Sequence, residues 1–203
     1  MAVIGLIAVS FWYNGGTLPT GKPRICIDAG HGGSDVGAEY EGRYEKDDNL
    51  RLALAVGEIL EDNGIDVIYT RKKDVFVELE DRAKFANRRY ATYFVSLHRN
   101  SAEGDVSGVE IWINNNALNN EAQLAENIIE KIDEVGFGKN RGVKRGYQGN
   151  PLSNYLVNSA TDMPSCLVEM GFITNRYDAE LMAYSPELFA EGIYRGILEY
   201  YNL

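Results

Sequence analysis

Histidine and cysteine are scarce in this chain of 203 residues, with two of each. Cys26 and Cys166 both sit in aliphatic runs without the neighbour spacing of a metal site, so the default reading is two buried thiols, with a disulfide left open. Basic charge is also in short supply. Twenty Lys and Arg stand against thirty Asp and Glu, a net charge of −10, which argues against nucleic acid and fits anionic lipid surfaces poorly. Long apolar runs are lacking too. The apolar stretch 2–13 is shorter than the ~20 residues an unaided bilayer span needs. It has no basic segment before it, and Asn14 to Gly21 follow as a polar, Gly-rich linker. Residues 1–21 therefore read as a signal or anchor remnant with its linker, which would place the rest, 22–203, outside the cytoplasm and allow weak membrane anchoring.

What remains has ordinary globular composition, 45% hydrophobic and 25% charged, enough for a sizeable core and not that of a disordered chain. From Lys22 onward short apolar runs alternate with amphipathic ones. This pattern predicts a single α/β domain, a twisted and mostly parallel sheet of five or six strands flanked by helices. Strands are expected at 24–29, 65–70, 93–98, 108–113 and 165–169, and helices at 47–63, 79–90, 118–135, 175–183 and 186–201. The stretch 136–164, rich in Gly, Asn, Ser and Tyr, reads as a loop region that forms part of a site.

Both histidines stand where a strand-like run breaks into small and polar residues, Asp28-Ala29-Gly30-His31-Gly32-Gly33 and Ser96-Leu97-His98-Arg99-Asn100. Loops at strand ends are where α/β proteins gather reactive groups. The first segment lacks the Gly-Lys-Ser/Thr ending of a phosphate loop. A catalytic zinc site takes about three N or O protein ligands and an open position. The two imidazoles would supply two, and Glu45, at the mouth of the first helix, is the natural third, with Asp47 and Asp48 as competitors or helix caps. Asp28 could set an imidazole tautomer or bond its own loop. Glu169 follows three apolar residues, where an unpaired carboxylate is costly. It reads either as a general base at a shared crevice or as a buried partner of Arg71 or Arg82.

These segments, taken in order, resemble the zinc-dependent N-acetylmuramoyl-L-alanine amidases of the amidase 3 type, which cut bacterial peptidoglycan. Asp28 to Ala38 match an Asp-x-Gly-His-Gly-Gly-x-Asp-x-Gly-Ala motif, and Glu45 to Leu50 match Glu-Lys-Asp-x-Asn-Leu. Thr70-Arg71, Leu79 with Arg82, and Ala86-Asn87 follow the intervening pattern. Ser96 to Ser101 match the Ser-Ile-His-x-Asn-Ser segment with Leu for Ile, and Val168 to Asn175 match the closing Val-Glu-x-Gly-Phe segment. The likeness runs from Arg24 to Leu203.

The resemblance implies one Zn2+ held by His31, Glu45 and His98, with Glu169 as the catalytic carboxylate. It implies hydrolysis of the amide between N-acetylmuramic acid and L-alanine of the stem peptide by a zinc-activated water, at the cell wall or outer membrane face. The partner would be peptidoglycan or a muropeptide, with an activating protein of unknown identity as a further expectation. A zinc peptidase or a non-catalytic wall-binding protein are the alternatives. Arg99 departs from the family's usual small residue and would reach a stem-peptide carboxylate or solvent. Some members carry an inserted helix over the zinc site; between His98 and Glu169 only one helix, 118–135, is expected, which implies an open site.

Overall fold

The apolar runs at Arg24–Ala29 (β1), Tyr93–Asn100 (β5) and Ser165–Phe172 (β8) lie side by side at the centre of one sheet, where both faces are covered. Burial on both faces is why they read as nearly continuous hydrophobic runs rather than alternating ones. The computed structural model describes residues 23–136 and 138–201. The expected export or anchor segment, residues 1–21, lies outside them.

Between β1 and β5 run a small hairpin, β2 (Glu39–Tyr40) and β3 (Arg43–Tyr44), helix α1 (Glu45–Asp62), strand β4 (Asp66–Tyr69) and helix α2 (Leu79–Arg88). After β5 come β6 (Val109–Ile113), α3 (Asn119–Glu134), β7 (Asn140–Arg145) and α4 (Leu156–Ala160). After β8 the chain closes with α5 (Arg176–Tyr184) and α6 (Pro186–Tyr201). The six-stranded sheet has the order β4-β1-β5-β8-β6-β7. All neighbours are parallel except β6 and β8.

The two faces of the sheet are covered unequally. Leu52, Ala53, Val56 and Leu60 of α1, Leu124, Ile128 and Ile132 of α3, and Phe189, Ile193 and Ile197 of α6 form the main core on one face. Their spacing puts one apolar stripe of each helix against the strands. The other face holds only α2 and α4 over a smaller cluster of Cys26, Phe94, Trp112, Leu167, Ala86 and Val157. Two short helices leave part of that face open, and the site occupies the gap.

Two elements fall inside the stretch read from sequence as loop. β7 pairs with β6 on one side only, and its run Asn-Arg-Gly-Val-Lys-Arg offers a single large apolar residue, so no alternation marks it. α4 has five residues, too few to show a helical period. It adds a second helix between His98 and Glu169, beside α2. Both cysteines are buried free thiols, as expected. No helix among the described residues is long and apolar enough to cross a membrane.

Candidate active site

The chain leaves β1 through a turn whose close contacts demand glycine. A Cβ on Gly30 would overlap the His98 ring, and one on Gly37 would fall 2.7 Å from both Glu45 Oε2 and His31 Cδ2. Between them His31 takes a left-handed backbone, φ 59°. Such a conformation costs a non-glycine residue about 1 kcal/mol or more and persists only where its surroundings hold it. Arg82 provides that hold, its Nη2 donating to the His31 carbonyl at 2.7 Å. The turn curls back through paired backbone bonds between Gly32 and Asp35, which bring Asp35 Oδ2 to 2.8 Å from His31 Nδ1.

Glu45 is the first residue of α1 and is 4% exposed. Its Oε1 lies 3.1 Å from His31 Nε2 and 2.9 Å from His98 Nδ1. The Arg99 amide and Asn49 Nδ2 donate to the same oxygen, while the Ala38 amide donates to Oε2. One ligand atom from each of His31, Glu45 and His98 lies within 4.8 Å of the others. Two imidazole nitrogens and a carboxylate oxygen are a donor set that could hold a metal ion, of the kind three-ligand zinc sites use. The chemistry of the residues therefore fits the metal that the sequence suggested.

Within the cluster His31 and Glu45 shift each other's proton affinity. Burial disfavours a charged His31, but hydrogen bonding and attraction from Glu45, then Asp35, raise its pKa to about 9. Glu45, although burial opposes its charge, is held well below the usual carboxylate range by the two histidines.

Glu169 of β8 is in register with His98 of β5 on the neighbouring strand. It is 7% exposed, and its Oε2 has no hydrogen-bond partner. Burial, with the charges of Glu45 and Glu110 beside it, pushes its pKa up to about 8. Neither arginine considered as its partner pairs with it. Arg71 donates to the carbonyls of Ala29, Gly30, Lys46 and Lys73. Arg82 is committed to Asp28 and to the carbonyls of Val77, Ala29 and His31.

His31 and Glu169 both hold their protons more tightly in the folded chain than their ordinary values of 6.5 and 4.5 allow. The stability this confers is present at low pH and is lost as pH rises through the folded values. In chelator, the melting temperature is therefore expected to fall from pH 6 to pH 9. A flat or rising profile in a differential scanning experiment would contradict these proton affinities.

Other sequence expectations are corrected. Asp28 touches no imidazole; it is fully buried and accepts from Arg82 Nη1, Ser96 Oγ and Thr70 Oγ1 at 2.8, 2.6 and 2.6 Å. The residue that orients His31 is Asp35, four positions on, whose signal was its place in the same glycine-rich run. Asp48 does not join the His31–Glu45–His98 group, because it pairs with Arg99, Arg51 and Arg43. Arg99, 2% exposed, does not face solvent. Its guanidinium locks β5 to α1 through Asp48, so a long basic residue fits here as a buried strut.

From the histidines a groove of about 290 Å3 runs over Leu167 between α2 and the β7–α4 segment, bordered by Leu79, Tyr147, Asn154 and Tyr155. Tyr147 and Tyr155 pack ring to ring at 4.7 Å, and Tyr155 meets Trp112 edge-on at 5.8 Å. Burial, followed by the charge of Glu169, pushes the Tyr155 phenol up and keeps it neutral. The Gly-, Asn- and Tyr-rich stretch thus does line the site, through an edge strand and a short helix.

Comparison with known proteins places this geometry. The family model described as N-acetylmuramoyl-L-alanine amidase, Amidase_3, matches residues 25–199. The sporulation-specific N-acetylmuramoyl-L-alanine amidase of Bacillus subtilis is 32% identical over 188 residues, covering 89% of this chain and 69% of that protein. An N-acetylmuramoyl-L-alanine amidase of Clostridium difficile superposes with a TM-score of 0.83 at 32% identity, over 89% of this chain and 97% of that one. The CwlD amidase of Clostridioides difficile, solved in complex with the GerS lipoprotein, gives 0.81 at 28% identity, over 89% and 99%. This chain belongs to the N-acetylmuramoyl-L-alanine amidase family and is a peptidoglycan hydrolase.

Proposed function

We propose that His31, Glu45 and His98 hold one zinc ion and that Glu169 is the proton carrier for cleavage of the N-acetylmuramoyl-L-alanine amide. The observation that carries the reading is the convergence of three ligand atoms within 4.8 Å beside a buried carboxylate with an unpartnered oxygen. Bound there, zinc supplies a Lewis acid that polarises the amide carbonyl and acidifies water near neutral pH. The protein supplies the rest. Glu169 Oε2 accepts a proton from the attacking water, an uptake that its burial favours by raising its pKa to about 8, and then gives it to the more basic leaving amine. The water oxygen bonds to the lactyl carbon, the C–N bond breaks, and the proton passes to the alanine nitrogen. The products are a free lactyl acid and a free alanine amine. Asp35 holds His31 Nδ1 so that Nε2 faces the ligand cluster.

Metal binding tests this assignment. Equilibrium dialysis followed by metal analysis is expected to find one zinc per chain. His98→Ala is expected to lose it, and Asp35→Ala to bind about 10- to 100-fold more weakly. Full zinc occupancy in His98→Ala would overturn the ligand set.

Action outside the cytoplasm follows from the family. We further infer that residues 1–21 serve export or anchoring ahead of a catalytic domain at 22–203, with action at the wall or outer membrane face. We infer an activating protein partner for this chain, a reading supported by the relative solved in complex with a lipoprotein.

A further inference from the structure

The edge strand β7 differs in charge from the molecule around it. Residues 139–145 hold four cations, Lys139, Arg141, Lys144 and Arg145, and no acid, in a chain of net charge −10. Two of the four turn toward the site. Arg141 Nε and Lys144 Nζ both donate to Glu110 Oε2, at 2.8 and 2.5 Å. Glu110 stands directly opposite Glu169 in the β6–β8 ladder, and directly opposed residues project from the same face. His98, Glu169, Glu110 and the two cations therefore form one row across the adjacent strands β5, β8, β6 and β7.

A structural lock for the edge strand needs one cation per carboxylate. Here Glu110 is 2% exposed and already accepts from Asn100 Nδ2 and Trp112 Nε1 through its other oxygen. Two cations on this one carboxylate leave one positive charge beyond that of Glu110, and the Arg141 and Lys144 side chains remain 27% and 33% exposed. Aromatic faces hold both in place, Phe172 under Arg141 at 5.2 Å and Trp112 under Lys144 at 5.3 Å.

Distance selects what that charge meets. β7 lies two strand spacings from Glu169, about 10 Å. One extended residue spans about 3.5 Å, so a carboxylate on the second residue from the cleaved bond lies about 7–10 Å away. We infer that Arg141 and Lys144 form a subsite for a carboxylate on the second residue of the stem peptide and determine specificity there. The inference rests on the amidase reading above.

Two synthetic muropeptides, differing only in a carboxylate or a primary amide at that position, provide the test. The wild-type enzyme is expected to favour the carboxylate form. Lys144→Gln is expected to raise KM for that form about tenfold, the scale of one charged hydrogen bond, and to affect the amide form far less. Lys144→Arg keeps the charge and is expected to retain the preference. Glu110→Gln releases both cations and is expected to sharpen it. Equal losses on the two substrates, or an unchanged ratio in Lys144→Gln, would overturn the subsite and leave the pair as an edge-strand lock. Wild-type protein that cleaves neither muropeptide would overturn the amidase reading itself, and this inference with it.

Discussion

Glu169→Gln is expected to keep its metal and lose turnover by about 100-fold or more, the usual contribution of a positioned general acid–base group. The substitution preserves size and polarity but removes the ability to take up and release a proton. None of the ligand candidates touches Glu169 through a hydrogen bond, so their arrangement is left intact. The native carboxylate is poised for proton transfer. Burial and two neighbouring acids place its pKa at about 8, close to the working range of a general base. Steady-state kinetics on a muropeptide, with zinc content measured on the same sample, separates the two effects. Wild-type turnover in Glu169→Gln would remove this residue from the chemistry.

The second large effect is on stability. Asp28→Ala is expected to cost about 3–5 kcal/mol, because it strands a buried arginine without its partner. Arg82 is 1% exposed, and Asp28 is its one carboxylate contact among the described residues, at 2.8 Å. The same change removes the acceptor for Ser96 Oγ and Thr70 Oγ1. Such a loss is a third or more of the ~5–15 kcal/mol that holds a typical domain folded. It also reaches the site, since Arg82 steadies the left-handed His31 through its carbonyl. Urea unfolding of the variant checks the magnitude, and a change below about 1 kcal/mol, the scale of an exposed ion pair, would contradict this account of the Arg82 cluster.

Much of this was legible in the residues themselves. The central strands announce themselves as aliphatic runs, and the ends of α1 follow from its acidic first turn and the Asn63-Gly64 stop. His31, His98 and Glu169 stand at or near the ends of such runs, so strand order brings them to one crevice, and Glu45 joins them from the first turn of α1. The partnerships of buried charges were not legible. Asp28 and Asp35 flank His31 at comparable separations, and only the tight Gly32–Asp35 turn decides which one reaches the ring. Arg99 looked like a surface residue because a lone arginine in sequence carries no sign of the aspartate waiting across α1. β7 was hidden for a related reason. An edge strand needs one partner and can carry charge, so the alternation that marks half-buried strands is missing.

The central claim is that this cluster cuts between sugar and peptide. Purified protein incubated with peptidoglycan, with and without chelator, and analysed by mass spectrometry for new termini tests it most directly. The account predicts free N-acetylmuramoyl lactyl acids and free N-terminal alanine, lost in chelator and restored by zinc. New amino termini within the stem peptide with the sugar bond intact would make the enzyme a peptidase, and binding without any new terminus would make the site non-catalytic.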